Sequence, residues 1–148
     1  MRVIVDHHDA ELLLRLYDMR REEKLRRARE WFTQEFQTLP PEEFIAKYPP
    51  GSQENAYFRM VITYWEMVGS IVNNNLIEKG FFFQNTGEFF GVWEKIKPVM
   101  PALRESYKNP LLWKNLEQMA TAYEEWMNKR ALGAIGAYRE RIAAVRKK

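Results

Sequence analysis

Asp6, His7, His8 and Asp9 form the one run of metal-ligand residue types in this sequence. Imidazole and carboxylate groups bind divalent cations, but a stable site needs three or four ligands converging from fixed elements. Neither histidine has a second one at i+3 or i+4, so the run reads as a solvated helix entry. The Glu-x-x-His pairs with which helical bundles hold two metal ions do not occur. Glu66, in YWEMVG, is the most suggestive carboxylate, because a buried acid among apolar neighbours keeps its proton to higher pH and suits acid–base work. Its helical phase, however, sets it on a strip with Arg59, Thr63 and Ser70, where a solvated or hydrogen-bonded carboxylate is the simpler expectation.

The chain has no cysteine, which removes disulfides, thiolate nucleophiles, zinc–thiolate sites and iron–sulfur clusters. Serines and threonines are present, but no Gly-x-Ser-x-Gly elbow and no glycine-rich phosphate loop ahead of a helix. Gly80, Gly87 and Gly91, spaced by seven and four, suit a smooth face for close helix packing. The expectation is a protein without catalytic residues, cofactor or metal.

Basic residues offer a different chemistry. Arg20, Arg21, Lys24, Arg26, Arg27 and Arg29 lie on one predicted helix, and Arg139, Arg141, Arg146, Lys147 and Lys148 lie at the end. If both groups shared one side they could neutralise nucleic-acid phosphates. Glu22, Glu23 and Glu30 interrupt the helical group, and a solvated face explains the same residues. The net charge of +3 is unevenly spread: residues 15–30 carry +3, residues 129–148 carry +6, and the other 112 sum to −6. The body is therefore mildly acidic.

Those side chains must be positioned by helices. A charged share of 29% and a hydrophobic share of 46% are ordinary for a globular domain, and 148 residues suffice for one such domain. Asp9 is a credible N-cap for a long first helix from Ala10 to Gln37, with apolar stripes only near its ends and the i,i+4 pairs Glu22–Arg26 and Glu23–Arg27 between them. Prolines at 40, 41, 49 and 50 bracket a short helix over EEFIAKY. A central helix follows over residues 53–74, apolar around well over half its circumference. An aromatic helix with Phe89, Phe90, Val92, Trp93 and Ile96 is kinked or restarted at Pro98, and Asn109–Pro110 opens a helix running to about Lys129. Gly133 and Gly136 precede a basic C-terminal segment, 131–148, predicted to be helical and only partly docked. Apart from the short RVIV at the start nothing reads as a strand, so the fold class is all-α: one domain, 1–148, a bundle of four or five principal helices.

The stretch NNNLIEKGFFF, residues 73–83, reads as a hinge. Asn74 or Asn75 takes the left-handed conformation that ends the central helix, and Leu76 folds back as in a Schellman cap. Phe81, Phe82 and Phe83 are spread around the next short helix, so at least one is expected to be exposed or to face a partner.

The order of features in YFRMVITYWEMVGSIVNNNLIEKGFFF and VWEKIKPVMPALRESYKNPLLWKNLEQM resembles a group of uncharacterised bacterial helical proteins, similar to domain of unknown function 4760. The resemblance covers roughly residues 55–126 and rests on Glu-x-x-Gly, an Asn/Leu-Ile turn, Trp-Glu, Lys-Pro and an Arg near a Pro-initiated helix. It implies an all-α fold and no particular activity; Arg104 matches the Arg, with a structural salt bridge as its simplest role.

Together these features point to a cytoplasmic, non-enzymatic helical domain that binds a protein partner or pairs with itself. They show no signal peptide and no transmembrane segment. Phe81, Phe82, Phe83 and the basic residues from Arg20 to Arg29 are the candidate interaction surface. A nucleic-acid-associated protein is the alternative, and a small-molecule sensor with a cavity lined by Phe82, Phe83, Phe89, Phe90 and Trp93 is the second.

Overall fold

A computed structural model describes residues 4–146, which form one all-α domain; among the described residues there is no strand. The helices are α1 (His7–Arg20), α2 (Glu23–Gln34), α3 (Pro41–Lys47), α4 (Gln53–Asn73), α5 (Lys79–Asn85), α6 (Glu88–Ile96), α7 (Met100–Ser106), α8 (Lys114–Arg130) and α9 (Ala134–Arg146). A 3₁₀ turn, Lys97–Val99, carries Pro98 and joins α6 to α7. RVIV lies partly outside the described residues, and Ile4 and Val5 belong to no element.

α4 is the centre, packing α2 on one side and α8 on the other. Phe58, Val61, Ile62, Trp65, Val68 and Val72 are all buried on it, as its wide apolar arc demands. Two groups of rings complete the core. Phe36 packs between Phe32 at 4.7 Å, Phe58 at 5.5 Å and Trp31 at 5.6 Å, while Phe89 lies 5.2 Å from Tyr123 and 5.9 Å from Trp65, Phe82 and Phe83. Each well-oriented ring pair adds about 0.5–1.5 kcal/mol beyond the area it buries.

Three boundaries differ from the sequence reading. The first long helix is broken at Arg21–Glu22. A straight rod of that length would be about 40 Å, against about 30 Å for the 21 residues of α4. Both of its apolar stripes could not stay on the body, so the chain turns between them. The Glu22 carboxylate accepts from Lys24 N and Leu25 N, at 3.1 and 3.0 Å, and so caps α2 instead of pairing with Arg26. Arg26 and Arg29 donate to the carbonyls of Arg21 and Arg20, each at 2.9 Å, covering the end of α1.

The second correction is at the entry to α1, where Asp6 and not Asp9 is the N-cap. Asp6 Oδ1 accepts from His8 N and Asp9 N, and Asp9 Oδ2 accepts from Asp6 N, making a reciprocal capping box. Asp9 is fully buried and its other oxygen accepts from Glu78 N at 2.8 Å, tying α1 to the start of α5. The third is that Asn109–Pro110 opens a series of turns and not a helix. Asn109 Oδ1 accepts from Leu111 N, and α8 begins only after Trp113, whose φ of +55° is left-handed.

The hinge at 73–77 forms as a Schellman cap. Leu76 N donates to Ile71 O, Asn75 N donates to Val72 O, and Asn75 has φ +60°. α9 docks through Ile135, 4% exposed, and a half-buried Tyr138 whose ring lies 5.7 Å from Phe90. Tyr138 reaches so close to Gly91 that a Cβ there would come within 2.5 Å of its hydroxyl. Gly80, Gly87 and Gly91 do not make one smooth face: Gly80 is in α5, Gly87 precedes α6, and Gly91 is within it.

Candidate functional site

The residues of the sequence motifs turn out to be polar ties between helices. Glu66 leaves its strip on α4 to cap α8: one carboxylate oxygen accepts from Leu116 N at 2.8 Å, the other from Asn115 N at 3.3 Å and Asn115 Nδ2 at 3.0 Å. A carboxylate at a helix N-terminus meets unpaired amides and the positive end of the dipole, which is where it is most favourable. Ser70 is not its partner. One turn along, a Cβ on Gly69 would stand 2.7 Å from Asn115 O, and Asn73 Nδ2 donates to Asn115 O and Oδ1. Glu66, Gly69 and Asn73 thus share one target.

Arg104 Nε donates to Leu112 O and its Nη2 to Glu117, both at 2.9 Å, which holds the turn that ends in left-handed Trp113. Burial alone would raise the Glu117 carboxyl, but the hydrogen bonds from Arg104 and Lys114 prevail and hold it below the usual carboxylate range. Glu94 pairs with Arg139 on α9 and with Lys97.

Lys95 was missed by the sequence reading. It is 6% exposed, and its ammonium donates to the carbonyls of Phe32, Thr33 and Phe36 at 2.7, 3.1 and 3.4 Å, closing the C-terminal end of α2. Its phase, three residues after Val92 on an otherwise apolar side of α6, was the available signal.

The candidate basic surface is largely engaged within the chain. Arg29 forms a two-point bridge to Glu88, both contacts 2.8 Å, which raises the guanidinium pKa further. Arg27 pairs with Glu23, and Arg26 holds Arg21 O. Arg20 turns inward, its guanidinium 5.0 Å from the Tyr17 ring centre and 5.6 Å from that of Trp65. Arg21 and Lys24 are exposed. Of the three phenylalanines, Phe82 and Phe83 are buried and Phe81 is half-buried against the core; the residue left outside is Leu76, 61% exposed. The aromatic side chains named for a sensor cavity fill the interior, with Phe82 and Phe83 on Phe89. Among the described residues no three His, Cys, Asp or Glu side chains are grouped to hold a metal ion, and His7 and His8 are exposed.

α1 presents one stripe to the body and another to solvent. Its inner stripe, Asp9, Leu13, Leu16 and Arg20, faces the body. Its outer stripe carries Glu11, Leu14, Arg15, Asp18 and Met19, all exposed, with Leu14 at 64% and Met19 at 48%. Beneath the inner stripe lies a pocket of about 250 Å³ between α1, α4 and α5. Leu13, Leu16, Trp65 and Phe82 line it, with Arg20 and Thr86.

No helix among the described residues is long and apolar enough to cross a membrane. No curated protein and no solved structure matches the chain. One family model does, over residues 6–126, from the cap of α1 to the last third of α8. The matched segment contains every tie that joins α4 to α8 and α1 to α5, and on that match the chain belongs to the family described as Domain of unknown function (DUF4760).

Proposed function

We propose that this is a cytoplasmic, non-enzymatic interaction domain that pairs with a second copy of itself through the outer stripe of α1. The observation that carries the reading is the self-complementary order of that stripe. In an antiparallel pair of α1 helices about a two-fold axis between Leu16 and Tyr17, Leu14 falls opposite Met19 of the other copy and Arg15 opposite Asp18. Among the described residues neither Arg15 nor Asp18 forms an ion pair, and both are exposed. A two-fold contact repeats each pairing twice, which makes a modest stripe count double. One helix face buries less than a standard interface, so the dimer is reversible.

The polar side chains suited to acid–base chemistry support binding over catalysis, since Glu66, Lys95, Arg104 and Glu88 are spent on helix ends and bridges. The same engagement of Arg26, Arg27 and Arg29 favours self-association over nucleic-acid binding.

Sedimentation equilibrium tests the reading. The expected result is a concentration-dependent dimer, weakened by Asp18→Arg or by Arg15→Asp alone and restored in the double exchange, which recreates the pairing with signs reversed. A chain that stays monomeric at all concentrations, or a dimer indifferent to both single exchanges, overturns it.

A further inference from the structure

We propose that the pocket between α1, α4 and α5 is a binding site for a small carboxylate with an apolar body. This goes beyond the pairing of α1: the pocket lies under the inner stripe of that helix and shares with the outer stripe only Leu14.

Three observations converge on that ligand class. Arg20 is the one charged residue of the pocket wall, half-buried, and no carboxylate among the described residues forms a salt bridge with it. Its guanidinium lies instead over the rings of Tyr17 and Trp65. A guanidinium keeps its charge at any ordinary pH, and its paired N–H groups match a carboxylate. Second, Trp65 lines the same pocket and is fully buried, yet its indole Nε1–H has no hydrogen-bond acceptor among the described residues. Buried donors are normally satisfied, so the Trp65 indole is a sensitive reporter on any group that enters beside it. Third, Leu13, Leu14, Leu16 and Phe82 give the wall an apolar part that suits a hydrocarbon or aromatic body, beside the polar groups of Tyr17, Tyr64, Asn85 and Thr86.

Size and charge narrow the class. At about 250 Å³ the pocket is below the usual ~300–1,000 Å³ of sites for drug-sized ligands, so the occupant is small. A phosphate ester brings close to two negative charges into a site with one cation, and the uncompensated charge opposes burial. A monoanionic carboxylate is balanced by Arg20.

The full-length chain titrated with phenylacetate, followed by the indole N–H signals in ¹⁵N-edited NMR, is the test. Saturable movement of the Trp65 signal is expected, with phenylacetamide binding at least about tenfold more weakly for loss of one charge-assisted contact, and phenyl phosphate more weakly for its uncompensated second charge. N-acetylphenylalanine distinguishes the source: binding as tight as phenylacetate points to the end of a peptide chain, weaker binding to a free small acid, and either supports the carboxylate assignment. Arg20→Gln is expected to weaken phenylacetate by a similar factor while the sedimentation behaviour stays that of the parent. Leu13→Phe, which fills the pocket and leaves Arg20 in place, is expected to abolish binding should Arg20→Gln fold poorly. Asp18→Arg, which tests the dimer, should leave phenylacetate binding intact, so the two proposals fail separately. No saturable shift with phenylacetate, equal binding of the amide, or undiminished binding to a folded Arg20→Gln or Leu13→Phe variant overturns the assignment.

Discussion

Tyr64 holds a polar atom inside an otherwise apolar helix contact. Its hydroxyl donates to Leu16 O, linking α4 to α1 across the core, and burial pushes its pKa up to about 12 although Arg20 and Arg29 pull the other way. The sign of the linkage is fixed by that direction. A tyrosine whose pKa is higher folded than unfolded keeps its full contribution below the unfolded value near 10 and loses it as pH rises towards about 12. Tyr64→Phe is therefore expected to cost about 0.5–1.5 kcal/mol at neutral pH. Across the alkaline window its denaturation midpoint should fall less steeply than that of the parent, which urea melts at a series of pH values would show; parallel profiles would mean that Tyr64 is not the group that titrates. Nothing in ITYWEM announced this bond. The sequence marks Tyr64 as apolar-facing, but its partner is a carbonyl 48 residues away.

At the level of elements, the close crossing of α4 and α8 depends on Gly69 and Glu66 in different ways. A methyl group at position 69 would meet backbone, Asn115 O at 2.7 Å and Asn115 C at 2.8 Å, and backbone in a capped helix start cannot rotate away. Gly69→Ala is expected to destabilise by about 1–3 kcal/mol despite the better helix propensity of alanine. Glu66→Gln keeps an acceptor but loses the charge at the dipole, with an expected cost of about 0.3–1 kcal/mol. Thermal melts of the two variants give the order, and a neutral or stabilising Gly69→Ala would mean that the helices separate at little cost. Glu-x-x-Gly was visible in the sequence, yet spacing relates a residue only to its own helix, so Ser70 looked like the neighbour and Asn115 could not be seen. The break at Glu22 was hidden for a related reason. An acid four residues before an arginine reads as helix-stabilising, and only the length of the body shows that the helix must stop.

For the molecule as a whole, the apolar periodicity was sufficient to predict an all-α domain with a central α4, because an arc that wide needs neighbours on several sides. It was insufficient for the surface. Exposed Leu14 and Met19 and the pocket under α1 depend on how α1 tilts after the break, which no local pattern encodes. α9 stands apart, since the family match ends at residue 126 and α9 begins at Ala134. It adds Ile135, Tyr138 and the bridges from Arg139 to Glu94 and Glu124. A chain ending at Arg130 is expected to keep α1–α8 and lose about 3 kcal/mol for one buried and one half-buried side chain. Circular dichroism and chemical denaturation would check this, and loss of cooperative unfolding would show instead that α9 is needed for the fold itself.

The three carbonyls that surround the Lys95 ammonium have a consequence for its reactivity. Acylating and reductive-methylation reagents need the free amine and room to approach it, and here the nitrogen is enclosed and its protons are shared. With Lys95 only 6% exposed, lifting of the end of α2 from α6 is the motion that would bare its amine. The rate at which reagent marks this one lysine, set against the exposed Lys24 and Lys47, is thus a clock for that opening in the native protein.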